Sequence, residues 1–595
     1  MPGRTIYTVL AESAQTWPGM AALQQPIGHG RYATYTFADF EAAAREIACG
    51  LHALGVAAGE NVALYSETRA EFYLADLGVM SSGAVAAALY TSYPLPDQVR
   101  NLQAAEVRFV FVEDAASRDA LLKAGDGRLD PVRWILLTGE APDTLTLNGV
   151  RQMGREAMAE DAAYFGRIRD AIHPEQAAIL YLTSGATGEP KMGLTSHAAI
   201  VSNIDMGPSA LALNAGDSTL VFLPSAHIAQ RVVLELLTMR MGVTVWFSES
   251  LSRLPAEIRS VRPNFFLAPP RVWERMYASI GAEVRKKGAA SQKLFYGAIG
   301  LGLQASRLRQ AGKSVPPHIS VPLKLADRLV FSKIRERLGG RLRLAASGAA
   351  PLGRNLADFY SAIGMPLIEG YGLTEGGVAT LNPLDRPKSG SIGRPLPGVE
   401  IRLADDGELF LRSPALFSGY YNDEASTAAV LQDGWLATGD IAEVDEEGYI
   451  YITGRKKELI VSSNGKKIYP ARIEMLFKTE PLINQVVLIG DRLPFVAALF
   501  TLNPAHAETL PGMKGKTLAE LVAAPEIQGE IRRVVARVNR ELPQFEQIRK
   551  FRVLDREFTI DRGEVTPTMK IRRGRVLENF RDLIGEMYMG REEMA

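Results

Sequence analysis

AILYLTSGATGEPKMGLTSH, residues 178–197, is an apolar run that stops abruptly at a loop of glycines and small hydroxyl residues. Residues 177–182 have the length and apolarity of a buried strand, and the loop that follows has the composition of an anion cradle. Gly185 and Gly188 let backbone N–H groups turn towards an anion, Thr183, Ser184 and Thr187 add hydroxyl donors, and Lys191 brings a mobile cation. The spacing is not that of a Walker A loop: counted from Gly185, the second glycine of G-x-x-x-x-G-K-[ST] falls on Pro190 and the final hydroxyl on Met192. Two readings stand at this point, a phosphate cradle or a flexible surface turn after a strand.

The 595 residues are too many for one compact core, so two or more domains are expected, and a hydrophobic fraction of 47% supplies ample material for them. Lysine plus arginine equals aspartate plus glutamate, 67 against 67, which gives no reason to propose a nucleic-acid partner. Cys49 is the single cysteine, so an internal disulfide is excluded, and the seven histidines show no zinc-enzyme spacing. The first twenty residues carry neither a long apolar h-region nor an Arg/Ser-rich transit pattern, and no apolar run approaches a membrane span. A cytoplasmic protein is expected, with peripheral contact to the inner face of a membrane left open and the oligomeric state without any signature.

Working outward, Thr36 followed by Asp39 reads as a helix N-terminal cap, and apolar residues from Phe40 to Leu54 recur at helical spacing until Gly55. Strands are expected at 61–65, 107–112 and 134–138, with helices at 70–80 and 97–104 between them, the alternation of an α/β protein. Strands at 219–223, 243–247 and 264–268 continue the series. His227 and Arg271, just past two of them, are candidate pocket residues or ordinary structural hydrogen-bonding groups. Helices are expected at 292–310 and 323–338. The first contains Gly300-Leu-Gly302-Leu-Gln-Ala305, a match to the dinucleotide fingerprint that lacks its strand and is better explained by close helix packing.

A strand at 341–346 runs into a second small-residue loop, Ser347-Gly348-Ala349-Ala350-Pro351. After a helix at 354–363, Glu369-Gly370-Tyr371-Gly372-Leu373-Thr374-Glu375 sets an aromatic, a hydroxyl and a carboxylate among glycines. Tyr371 can stack on a planar base and Glu375 is a hard oxygen ligand suited to Mg²⁺, or the stretch is a glycine-rich turn around a buried tyrosine. From Gly393 the texture changes to short strands and turns, a small antiparallel subdomain that contains Thr438-Gly439-Asp440 and ends at Gly454-Arg455-Lys456-Lys457-Glu458. The remainder reads as a compact α/β unit with strands at 485–489 and 496–502 and helices at 471–478, 525–539 and 572–587, closing on Thr566-Pro567-Thr568-Met569-Lys570.

In this order the loops resemble those of the adenylate-forming superfamily, and within it the long-chain acyl-CoA synthetases. The resemblance spans nearly the whole chain. Residues 183–191 look like the family's phosphate loop, 371–375 like its Y-G-x-T-E motif, 438–440 like its T-G-D motif, 454–458 like its hinge and 566–570 like its terminal catalytic-lysine motif. The narrower likeness rests on Leu223-Pro-Ser-Ala-His227, Arg271-Val-Trp273-Glu274, the long helical insert at 292–338 and Thr566 to Lys570. It implies a large AMP-binding domain of layered α/β subdomains plus a small antiparallel subdomain (1–455), and a mobile α/β domain (456–595) carrying the catalytic lysine.

The resemblance also implies ATP, Mg²⁺ and CoA as cofactor and co-substrates, a fatty acid activated as acyl-AMP with release of pyrophosphate, and transfer to CoA. By the same resemblance Lys570, Glu375, Thr374 and His227 are catalytic, with Glu375 holding the metal. Nucleotide and CoA would be held by Thr183, Ser184, Gly185, Thr187, Gly188, Lys191, Gly348, Ala349, Ala350, Tyr371, Asp440, Arg455, Lys457 and Gly465. Ala186 stands where the family usually has Thr or Ser and Met192 where it has Gly. The first departure removes one hydroxyl, and a hydrogen bond to a charged group is worth about 1.5–3 kcal/mol. Three alternatives stand beside this reading: a fatty acyl-AMP ligase serving a carrier-protein thiol, an enzyme for a medium-chain or aryl acid, and a binding protein that has lost catalysis.

Overall fold

The computed structural model describes residues 3–183, 191–566 and 570–589. Two large sheets form the body. One has eight strands, in the order Gly419–Tyr420, Lys191–Ser196, Ala177–Thr183, Val85–Ala88, Asn61–Tyr65, Phe109–Val112, Arg133–Leu136 and Leu145–Thr146. From Ala177–Thr183 onward its neighbours run parallel, as the apolar strand runs of the sequence require, because strands buried on both faces need no alternation. The other has nine strands, parallel from Leu367–Leu373 through Leu344–Ser347, Phe265–Ala268, Ser218–Val221 and Thr244–Phe247 to Ala21–Pro26, and antiparallel at both edges.

A continuous apolar core lies between elements of the two sheets. Helix Ala70–Ser81 is buried at every position except Glu71, so it reads as apolar all round rather than amphipathic. Helix Phe37–Ala53 starts at the expected cap: Thr36 Oγ1 accepts from the Asp39 N–H at 3.1 Å and Asp39 Oδ2 accepts from the Thr36 N–H at 2.9 Å. Such a cap contributes about 1 kcal/mol. Inside the core, Arg231 donates to Asp76 (2.9 Å from Nε), and both side chains are fully buried. Arg231 belongs to a π-helix, Ala229–Leu236, directly after His227, so the ion pair pins the segment that carries that histidine.

The antiparallel subdomain expected after Gly393 is a five-stranded sheet, in which Thr438-Gly439-Asp440 lies within one long strand, Trp435–Val444. Beyond it the small domain has a three-stranded sheet of Ile483–Ile489, Val496–Leu502 and Ile548–Leu554, with its own apolar cores. The glycines of 300–305 are explained by packing: a Cβ on Gly302 would come within 2.2 Å of the Ala362 carbonyl on the neighbouring helix.

Two helix expectations change. The helix at 323–338 begins earlier, at Pro317, and runs as Pro317–Ala326, a π turn at Asp327–Phe331 and Ser332–Arg337. The helix at 572–587 is two, Arg573–Asn579 and Arg581–Tyr588, broken at Phe580. That ring is held by Phe558 at 6.1 Å and by the Arg556 guanidinium at 4.6 Å, a tertiary fixation that overrides the helical run.

Candidate active site

Asp440 gathers three parts of the chain. Its Oδ2 accepts from the Tyr371 hydroxyl at 2.6 Å and its Oδ1 from Arg455 Nε at 2.9 Å, Arg455 being its cross-strand partner on Ile450–Arg455. Burial, and after it the Asp440 carboxylate, holds the Tyr371 phenol far above its usual range, so it stays protonated and donates. Asp440 raises the Arg455 guanidinium further. The loop Gly348-Ala349-Ala350 lies next to Tyr371: it leaves strand Leu344–Ser347, which is paired with Leu367–Leu373, and a Cβ on Gly348 would sit 3.8 Å from the Gly370 carbonyl. Ala349 takes φ +67°, a left-handed conformation that costs a residue with a side chain about 1 kcal/mol or more.

Tyr371 itself corrects the glycine-rich turn reading. It sits in a strand, Leu367–Leu373, and the flanking glycines permit close strand approach: a Cβ on Gly372 would lie 2.5 Å from the Gly377 carbonyl.

Of the phosphate-loop residues, Ser184, Gly185, Ala186, Thr187 and Gly188 lie outside the described residues, and Thr183 is placed only as the end of its strand. Lys191 opens the return strand Lys191–Ser196; its Nζ donates to Ser426 Oγ at 2.8 Å and lies 4.7 Å from the centre of the Tyr420 ring. Met192 pairs with Leu182 and its carbonyl accepts from the Tyr421 N–H at 2.7 Å. Thr374 faces this strand, its methyl 3.4 Å from where a Cβ on Gly193 would be.

Tyr420, which the sequence did not single out, joins the two motifs: its hydroxyl donates to Glu375 Oε1 at 2.6 Å while its face receives Lys191. Nothing in Phe417-Ser-Gly-Tyr420 announces that role; it depends on Gly419–Tyr420 pairing with Leu194 and Gly193. Glu375 is a half-buried carboxylate with one oxygen on Tyr420, and no group of three or more metal-ligating side chains occurs among the described residues. One carboxylate, Glu375, joined through Tyr420 to Lys191 has the chemistry that fits Mg²⁺, which commonly takes one or two protein carboxylates plus substrate phosphates and water.

His227 Nδ1 accepts from the Ala229 N–H at 3.1 Å, which assigns the proton to Nε2. Burial, then the positive Lys570, brings its pKa down to about 3, so it is a neutral donor. Lys570 in turn feels charges of the large domain: burial and then Arg455 push its amine down to about 8, against the opposing pull of Asp440, Glu458 and Glu375. Its side chain keeps a path to solvent, so the amine can meet a ligand entering the cleft. Its backbone is fixed by Thr566, whose N–H donates to the Lys570 carbonyl at 2.8 Å and whose Oγ1 accepts from the Lys570 N–H at 3.0 Å.

Arg271 is not in this group. It bridges the domains, donating at 2.8 Å to the Asn484 carbonyl and also to the Asn484 side chain, and Lys478 approaches Glu274 at 3.7 Å. Lys457 is exposed in the turn Lys456–Glu458, while Lys456 beside it is tied to Asp406 and Glu408, both at 2.7 Å. Gly465, at φ +74°, turns a hairpin whose Asn464 and Lys466 line an open cavity of about 320 Å³ on the small domain with Phe545 and Arg549.

Glu369, behind the Gly348 loop, is a second group the sequence did not single out. It is 5% exposed, one oxygen accepts from the Leu352 N–H at 3.0 Å, and the other has no partner among the described residues. Burial pushes its carboxyl up to about 8, opposed by that N–H. The folded state therefore keeps a proton that the unfolded chain releases near 4.5, and stability falls as pH rises from there to about 8, by on the order of a few kcal/mol. Glu369→Gln should flatten that slope, gaining thermal stability over the wild type as pH rises. Parallel melting-temperature curves for the two proteins would count against a buried neutral carboxyl.

A two-domain α/β frame is what the resemblance to adenylate-forming enzymes implied, and comparison with known proteins shows that class. The AMP-binding enzyme family matches residues 10–421 and the AMP-binding enzyme C-terminal domain matches residues 457–592. The chain belongs to the AMP-binding enzymes, and within them to the acyl-CoA ligases. It is 36% identical to the long-chain-fatty-acid–CoA ligase FadD15 of Mycobacterium tuberculosis, over 95% of this chain and 94% of that one. To the peroxisomal long chain acyl-CoA synthetase 6 of Arabidopsis thaliana it is 30% identical, over 94% and 82%. The fold is shared with the anthranilate CoA ligase AuaEII in complex with anthranoyl-AMP, at a TM-score of 0.74 and 20% identity, over 97% of this chain and 98% of that one.

Proposed function

We propose that this enzyme activates a long-chain fatty acid with ATP and transfers the acyl group to CoA. The observation that carries the long-chain reading is the 36% identity to a long-chain-fatty-acid–CoA ligase over 95% of the chain. A carboxylate oxygen of the acid attacks the α-phosphorus of ATP and pyrophosphate leaves, giving acyl-AMP. The CoA thiol, losing its proton, then attacks the acyl carbonyl, and AMP leaves with the bridging oxygen.

In this reading Tyr371 and the Gly348–Ala350 loop hold adenine, Asp440 and Arg455 the ribose, and Thr374 the α-phosphate. The loop from Thr183 to Lys191 holds the β- and γ-phosphates. His227, a neutral Nε2–H donor, orients the acid without attracting a second anion. Glu375 would hold Mg²⁺, which when bound offsets phosphate charge. Lys570 brings its ammonium to the point where carboxylate and α-phosphate meet, so two anions approach against less repulsion. CoA would reach the site past the Gly465 hairpin after the small domain rotates about Lys457.

The test is pyrophosphate release and acyl-CoA formation across a fatty-acid chain-length series with ATP. Both products should peak with long chains and require CoA for turnover. A maximum at medium-chain or aryl acids replaces the substrate class, turnover only with a carrier-protein thiol replaces the acceptor, and no acid-dependent pyrophosphate release removes the activity.

A further inference from the structure

The helical insert after Trp273 departs from the rest of the surface in two ways. Of the twelve large hydrophobic side chains exposed among the described residues, five lie on it: Leu294 (52%), Tyr296 (56%), Val321 (65%), Leu325 (59%) and Leu329 (42%). Val321, Leu325 and Leu329 recur every four residues along the continuous helical run Pro317–Arg337, so they form one stripe. The helix carrying Leu294 and Tyr296, Ala289–Gln310, packs beside it. The opposite side of the run is already satisfied, with Ile319, Ala326, Phe331 and Ile334 buried, so the exposed stripe is not an unfinished core contact.

The second departure is charge. Between Arg285 and Leu338 there are twelve lysines and arginines and two acidic residues, in a chain whose charges cancel overall. Lys293, Lys324, Arg328 and Lys333 are exposed beside the stripe, and none has an ion pair among the described residues. Apolar side chains flanked by unpaired cations on a helix lying along the surface match the demands of an anionic bilayer. The side chains enter the acyl boundary, the cations meet lipid phosphates, and a tyrosine suits the interface between. A second copy of the chain is a poor occupant, because a two-fold contact would press these cations against one another.

We propose that the stripe Val321–Leu325–Leu329, with Leu294, Tyr296 and the adjoining cations, docks this enzyme on anionic membrane surfaces. No helix among the described residues is long and apolar enough to cross a membrane, so the contact is peripheral. It goes beyond the acyl-chain reading above, since none of the side chains of this face is assigned a part in the reaction.

Co-sedimentation of the full chain with phosphatidylcholine vesicles, with and without phosphatidylglycerol, tests it. The wild type should pellet with the anionic vesicles only, and release as salt shortens the screening length towards about 3 Å at 1 M. Leu325→Glu/Leu329→Glu and Lys324→Glu/Arg328→Glu/Lys333→Glu should each weaken binding at least about tenfold. Both should leave melting temperature and the turnover of a water-soluble acid unchanged. Wild type remaining in the supernatant, or variants that pellet like wild type, would overturn the proposal. So would a wild-type dimer that the leucine variant dissociates without loss of vesicle binding. Loss of turnover in the wild type would instead count against the proposed reaction.

Discussion

Lys570→Ala is expected to lower acyl-adenylate formation by about 10²–10³-fold, the scale for removing one preorganised charge-stabilising donor. Thioester formation from supplied acyl-AMP should stay within a few-fold of wild type. The asymmetry follows from the proposed role: Lys570 is electrostatically coupled to His227, Arg455, Asp440 and Glu375, and only the first half-reaction brings two anions together, the acid and the α-phosphate. Pyrophosphate release measures one half and acyl-CoA formation from acyl-AMP the other. An equal loss in both would remove Lys570 from this role. The pH dependence supplies an independent check. With the amine brought down to about 8, the free enzyme loses its cation as pH rises through that value, so kcat/KM for adenylation should fall on the alkaline side. Lys570→Arg, weaker overall because its fork is placed differently, keeps its charge and should lose that alkaline limb.

What was readable in the sequence was local. Thr36 and Asp39 announce a helix because both partners of a capping box lie three residues apart. Strands Asn61–Tyr65 and Val496–Leu502 fall where apolar runs of strand length end in turn residues. The N-terminal helix Ile6–Thr16 lacks the usual acidic signal, since its capping box closes Thr5 on Thr8. The glycines around Tyr371 suggest a turn because glycine weakens any strand pattern, whereas here they let two strands approach. The site motifs were legible as composition, but their joining was not. Tyr420 reaches Glu375 across 45 residues, Glu369 is kept neutral by burial against the pull of the Leu352 N–H, and Arg271 finds Asn484 across 213. No window of sequence holds both members of such a pair, so their chemistry emerges only from packing.

Lys457→Pro is expected to act in the opposite sense to Lys570→Ala, keeping adenylation within a few-fold and lowering thioester formation from acyl-AMP by about 10²-fold, the scale of a misplaced reacting group. In the proposed reaction Lys570 serves adenylation from the nucleotide side, and the Gly465 hairpin could take its place only if the small domain turned. On the large-domain side the turn is anchored, because Lys456 is gripped by Asp406 and Glu408; the next residue, Lys457, is exposed and carries no such tie among the described residues. Rotation must part Arg271 from Asn484 and Glu274 from Lys478, both polar and part-exposed, and shift Tyr469 against Gly454, while the apolar core of each domain stays intact. Proline at 457 leaves those contacts and the adenylating arrangement alone and removes the φ freedom that the rotation uses. Survival of both half-reactions would place the pivot elsewhere. Loss of both with an unchanged melting temperature would mean that Lys457 serves the adenylating arrangement itself and not the passage out of it.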